Sequence, residues 1–141
     1  MNGILPTIKS VAADSNVLLS AVSGRAARRV FAQTELIVVT TELNIAEVRE
    51  YIPEFATRYE LSEDLLLEVL ALLPLKVYSH RYYAGEMAKA WQLLANRDKD
   101  DVALAALALK LQVPIWSNDR DYEHFPHGML PTAKLLKILG M

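Results

Sequence analysis

Three carboxylates crowd five residues in RDKDDVALAALAL, residues 97 to 109, where Asp98, Asp100 and Asp101 stand before an almost wholly apolar run. A helix that opens this way carries its first acids toward the interior along with its first turn. Further acids sit at comparable junctions: Asp14 in VAADSN, Glu47 in TELNIAEVRE, and Asp119 and Asp121 in VPIWSNDRDY. Carboxylates gathered in one pocket repel one another, which raises their proton affinity unless positive charge is present. A hard divalent cation resolves that conflict, and Mg2+ and Mn2+ favour oxygen ligands while keeping several waters. Such an ion lowers the pKa of a bound water and neutralises charge on a phosphodiester. The chemistry these residue types suit is therefore metal-assisted hydrolysis.

The acids meet only if the surrounding elements bring them together. KSVAAD (9 to 14) reads as a strand, and ELIVVTT (35 to 41) is a Val-, Ile- and Thr-rich buried strand. LKVYS (75 to 79), VPIWS (113 to 117) and the short GML (128 to 130) complete the strand set. Helices are predicted over SGRAARRVFAQ (23 to 33), TELNIAEVREYI (41 to 52, ending before Pro53) and SEDLLLEVLALL (62 to 73). Three more follow, over AGEMAKAWQLLAN (84 to 96), the Ala/Leu run 101 to 111, and TAKLLKIL (132 to 139). This alternation predicts an α/β protein with a parallel sheet covered on both faces.

In such sheets, sites form beyond the carboxyl ends of the strands. Asp14 and Asp119 each follow a strand, so they meet there if the two strands are neighbours. Asp100 and Asp101 open a helix. Glu47 lies on the row Leu43–Glu47–Tyr51, which directs it along a partly buried face. Ala103, Ala105, Ala106 and Ala108 let the helix that follows these acids pack close to the sheet and so fix Asp101.

Composition bounds the reading. The chain has 141 residues, 52% hydrophobic and 23% charged, with a net charge of −2 and no cysteine. One domain over residues 1–141 with a sizeable core is expected. Disulfides and thiolate metal sites are excluded. No run of 18 or more apolar residues occurs, and Met1 to Val11 lacks the long apolar core of a secretory signal. A cytoplasmic location without a membrane partner is therefore expected. His124 and His127 lack a further ligand set for zinc, and no Gly-rich phosphate loop is present.

Each acid also has an ordinary explanation. Asp at a helix start is favoured by capping and by the dipole, Asp14 and Asp119 suit turns, and Glu47 suits a solvated helix face. Their joint placement is what favours a site. Arg25, Arg28 and Arg29 in GRAARR share one helix face and are candidate phosphate contacts; a solvated face is the alternative. Arg97, Lys99 and Arg120 lie next to the acids, either as phosphate contacts or as partners for their charge. Tyr122 beside the fourth motif is a candidate for base stacking, whereas Trp116 reads as core. Two other classes stay open. One is a phosphatase with Asp14 as nucleophile, which would want an acid where Asn16 stands. The other is a catalytically silent module that binds RNA or protein.

Taken in order, ADSNVLLSAV, TTELNIAEVRE, RDKDDVALAALAL and IWSNDRDY resemble the four acidic motifs of the PIN domain family, over roughly residues 9 to 139. The resemblance implies a three-layer α/β/α sandwich with a mainly parallel central sheet. It also implies a metal-dependent ribonuclease, of the kind found among the toxins of toxin–antitoxin pairs. By the same resemblance Asp14, Glu47, Asp101 and Asp119 bind Mg2+ or Mn2+, with Asp100 and Asp121 as auxiliary ligands. Asp101 is favoured over Asp100 because the alanines four and five residues later match the family's helix pattern, and Asp119 over Asp121 for its nearness to the strand. Asn16, Ser117 and Thr40 or Thr41 would orient the carboxylates. A homodimer and an antitoxin partner are implied as well. The apolar EDLLLEVLALL is either buried or partner-facing.

Overall fold

The computed structural model describes residues 8–33, 35–94 and 98–141. Five strands form one wholly parallel sheet: β1 (Ser10–Ala13), β2 (Ile37–Thr41), β3 (Leu75–Tyr78), β4 (Ile115–Trp116) and β5 (Met129–Leu130), in the order β3-β2-β1-β4-β5. β1 is central. Its register pairs Val11 with Val38 on one side and Ala13 with Trp116 on the other.

Strand alternation sorts the core into two layers. Val11, Ala13, Val38 and Trp116 face a cluster built with α1 (Ser15–Val22), α2 (Ala27–Val30), α3 (Glu42–Arg58), α4 (Glu63–Leu72) and α8 (Thr132–Ile138). Ala12, Val39 and Ile115 face the opposite cluster, which holds α5 (His80–Tyr83), α6 (Met87–Leu93) and α7 (Lys99–Leu111). The expected three-layer α/β/α sandwich is the observed fold. In α7 every residue from Val102 to Leu109 is buried. The alanines explain how: their short side chains let the helix lie against the sheet and under α5 and α6 at once.

Three sequence expectations need correction. Residues 15–22 form a helix that was not expected, capped by the Asp14 side chain and carrying Val17, Leu18, Ala21 and Val22 inward. Its signal was that apolar row one turn apart, after an N-cap acid. The helix expected over 23 to 33 shrinks to the single turn of α2. Gly24, at φ +84°, turns the chain there, in a conformation that favours glycine.

The second correction is that α3 runs through Pro53 to Arg58 rather than stopping at residue 52. Proline removes the amide that would bond the Arg49 carbonyl, but Pro53 and Arg49 both lie on the exposed face, where that carbonyl meets solvent. Pro53→Ala should therefore raise the urea midpoint, by about 1–2 kcal/mol after the loss of proline's stiffening of the unfolded chain. The third correction concerns the helix expected over 84 to 96. It opens as a 3-10 turn at Ala84–Glu86 and continues as α6, with the unexpected single turn of α5 just before it; its last two residues lie outside the described ones. The remaining strands and helices occupy their expected places with shorter ends, except α7, which begins two residues earlier, at Lys99.

Candidate active site

The strand order reverses between β1 and β4, the point in an open α/β sheet where a crevice opens at the carboxyl ends. Asp14 leaves β1 there and is 6% exposed. One carboxylate oxygen accepts the Val17 amide at 2.9 Å, capping α1, and the other accepts the hydroxyl of Ser117, just past β4. The same Ser117 oxygen accepts the amide of Asp119 at 2.9 Å, so one buried hydroxyl ties the first acid to the fourth motif. Asp119 in turn accepts the Asp121 amide at 2.9 Å and caps a 3-10 turn, Arg120–Tyr122. That turn drives Tyr122 inward, where its hydroxyl donates to Asp101 at 2.8 Å. Asp101 is itself held by the α7 cap, its amide bonding the Asp98 carboxylate at 3.1 Å.

Burial raises the Asp14 pKa to about 6, against the opposing pull of the Ser117 and Val17 hydrogen bonds. The charges of Asp101 and Asp119 add to the rise, which places all three acids in one electrostatic neighbourhood. Burial, followed by the charge of Asp101, also lifts the Tyr122 phenol far above its usual range, so it stays a hydrogen-bond donor. The ring of Tyr122 is 1% exposed, which corrects the expectation that it offers a base-stacking face. Trp116 is core, as read from the strand pattern.

Glu47 forms a second, adjoining group. Burial raises its pKa to about 7, the Ser15 hydroxyl opposes this, and Asp100 and then Asp98 raise it further. The doubled acid at 100 and 101 is thus divided: Asp100 acts on Glu47, Asp101 on Asp14. A buried polar network sets Glu47 opposite α1. Asn44, 1% exposed, donates to Ser15 Oγ at 2.9 Å and accepts the Thr41 hydroxyl at 2.6 Å, while Thr41 caps α3 through the Asn44 amide at 3.1 Å. Sequence reading missed Asn44 and Ser15. The signal was available, because Thr41 and Asn44 occupy the N-cap and third helical positions where reciprocal capping occurs. Thr40 donates to the Ala13 carbonyl at 2.8 Å, so both threonines act on backbone geometry rather than on a carboxylate.

The arginines stand farther off than expected. The unforeseen α1 carries them about 12 Å down a helix of eight residues, away from Asp14. Arg28 turns back to donate to the Ala21 and Val22 carbonyls at 2.9 and 2.7 Å, satisfying the end of α1. Arg25 lies over the Tyr59 and Phe55 rings, and Arg29 is exposed on α2. Asn16 is exposed at the start of α1 and lines a groove toward α3. Arg97 lies outside the described residues.

Among the described residues no three acidic or imidazole groups form a ready-made metal cage. A hard ion of the Mg2+ type takes only one or two carboxylates directly and fills its remaining positions with water and phosphate oxygens. The all-oxygen donor set fits such an ion, as does the raised proton affinity of Asp14 and Glu47, due first to burial and further to neighbouring acids.

The model of the PIN domain family matches residues 12–134, and the chain belongs to that family. No curated protein matches it. Among solved structures it is similar to a toxin–antitoxin complex from Klebsiella pneumoniae, with 16% identity and a TM-score of 0.64 over 86% of this chain and 97% of that one. It is likewise similar to VapBC2 from Rickettsia felis, solved bound to a DNA fragment from its promoter, with 12% identity and a TM-score of 0.62 over 86% and 96%. The sarcin-ricin loop cleaving toxin VapC20 of Mycobacterium tuberculosis shares 16% identity, with a TM-score of 0.54 over 83% and 97%. At these identities the likeness is one of fold. Among the described residues no helix is long and apolar enough to cross a membrane.

Proposed function

We propose that this protein is a metal-dependent endoribonuclease acting from the crevice between β1 and β4. The observation that carries the reading is the gathering of acids from four distant segments at one end of the sheet, with Asp14 and Glu47 held at pKa values near neutrality. One or two of Asp14, Glu47, Asp101 and Asp119 would ligate Mg2+ or Mn2+ directly, and the others, with Asp100 and Asp121, would hold its waters. When bound, the ion supplies an acidified water and neutralises charge on the phosphodiester. The protein's own part is orientation. Ser117 aims Asp14, Tyr122 aims Asp101, and the Ser15–Asn44–Thr41 network aims Glu47. Because Asp14 and Glu47 hold protons readily, ion binding releases them and tightens as pH rises from about 5 to about 8.

A phosphatase using Asp14 as nucleophile is disfavoured, since the position two residues on, where such a site would want a second acid, is Asn16, exposed at the start of α1. The toxin complexes among the structural relatives support an antitoxin as partner. Leu65 and Leu72, 57% and 81% exposed on α4, support a homodimer. The reading is tested with purified protein and single-stranded RNA in Mn2+ or Mg2+, then in chelator. Cleavage that requires the ion is expected. Absence of cleavage over a panel of RNAs, together with no heat of Mn2+ binding, would leave a silent binding module as the better description.

A further inference from the structure

Glu47, Tyr51, Phe55 and Tyr59 follow one another at four-residue intervals along α3 and its C-cap. Side chains so spaced share a helix face. The row begins in the acidic site and becomes aromatic. The Phe55 and Tyr59 rings stand 4.6 Å apart, and the Arg25 guanidinium lies 5.0 Å from the Tyr59 centroid. Between this row and α1 runs a groove of about 190 Å³ lined by Asn16, Leu19, Tyr51, Glu54, Phe55 and Arg58. Its upper end adjoins the site. Asn16 is two residues past Asp14, and the Tyr51 phenol feels the charges of Glu47, Asp98 and Asp100. Tyr51 is 46% exposed, so it presents an open ring.

We infer that this groove receives an unpaired base of the RNA strand, stacked on Tyr51 with its polar edge toward Asn16 and the Glu54–Arg58 pair. The inference rests on the ribonuclease reading and adds to it where the strand goes on leaving the acids. A nucleobase needs a flat apolar face, a hydrogen-bonding edge and cations for its phosphates. The groove offers an aromatic ring, an amide, a carboxylate–guanidinium pair at 2.9 Å, and Arg25 beyond. A protein anchor would find a more apolar seat elsewhere, between Val22, Leu61, Leu65, Leu66 and Val69.

Binding of short labelled single-stranded RNA, followed by fluorescence anisotropy in chelator, separates the outcomes. Tyr51→Ala should weaken binding about 5- to 150-fold, and Tyr51→Phe should restore most of the loss. In a series of RNAs each lacking one base, wild type should lose affinity at one position, and Tyr51→Ala should be indifferent to that same position. The thermal midpoint of Tyr51→Ala reports on folding, which a half-exposed ring should affect little. If Tyr51→Ala binds and cleaves RNA as wild type does, or still registers the missing base, the base subsite is refuted while the nuclease stands, and a protein partner inherits the groove. If wild type neither binds nor cleaves RNA, both readings fall.

Discussion

Asp14→Asn is expected to abolish RNA cleavage and, in the same protein, to raise the thermal midpoint. Loss of a directly held ion costs several kcal/mol of transition-state stabilisation, so cleavage should drop at least about 100-fold. The stability gain follows from the carboxylate's environment. Its pKa rises on folding from 3.8 to about 6, mainly through burial. A raised acid pKa means that the folded state binds the extra proton. The stability contribution is complete below about pH 3.8 and is lost as pH rises through about 6. At pH 7 the ionised carboxylate thus weakens the ion-free fold by about 3 kcal/mol. Asn keeps the oxygen that caps α1 through Val17 and removes the charge, but puts an NH2 group, a donor, where the Ser117 hydroxyl had its acceptor. The net gain should be about 1–2 kcal/mol, or about 3–8 °C. Glu47 works in the same direction between 4.5 and about 7. Wild type without divalent ion should therefore lose stability between pH 5 and pH 7, and Mn2+ should restore it by mass action. Calorimetric melts of both proteins, with and without Mn2+, check all of this. A midpoint for Asp14→Asn below that of wild type at pH 7 would remove the electrostatic account.

Trp116→Ala should be the most damaging single change in the core. The indole is fully buried on β4, packs 5.6 Å from the Phe31 ring, and donates its N–H to Thr132 at 3.0 Å. It thus joins the sheet to α2 and α8 at once. Truncation leaves a cavity costing about 3–5 kcal/mol, a large part of a typical domain's stability. Urea unfolding should show a lower midpoint with an unchanged slope. Cleavage should fall too, because the next residue is Ser117. Trp116→Phe, which loses only the N–H and part of the ring, should cost about 1–2 kcal/mol.

The strands were legible because β-branched runs and strand-end acids are local signals. The two-sided core was legible for the same reason, since an Ala/Leu run without polar breaks has nowhere to go but under other helices. What escaped was whatever depended on long-range closure. The α1 helix is short and apolar, and its local signal, an apolar row behind an N-cap acid, becomes decisive only with its packing against α2 and α3. Pro53 reads as a stop, yet exposure on the outer face lets the helix continue. Asp14 and the acids at 100/101 and 119/121 could be read from their junctions, while Glu47's place among them and the choice of Asp101 came from the resemblance. Their division into an Asp14 group and a Glu47 group could not be read at all, because it depends on which way Asp100 and Asp101 turn from the start of α7. Asn44 was passed over because a lone amide carries no chemistry until its partners, 3 and 29 residues away, are known.

The strand order also sets a timetable. A ribosome releases β1, β2 and β3 first, and these can pair as one side of the sheet while the other edge of β1 stands empty. Asp14 and Glu47 are then already made, and Asp101 follows with α7, before β4. Ser117 and Asp119 arrive only with β4, 103 residues after Asp14, and no earlier segment can supply their hydroxyl and carboxylate. The acid cluster is therefore incomplete until β4 has been made and paired. A nascent chain that stops short of β4 carries the first acid without the hydroxyl that orients it, so the geometry of the cluster waits on the pairing of β1 with β4.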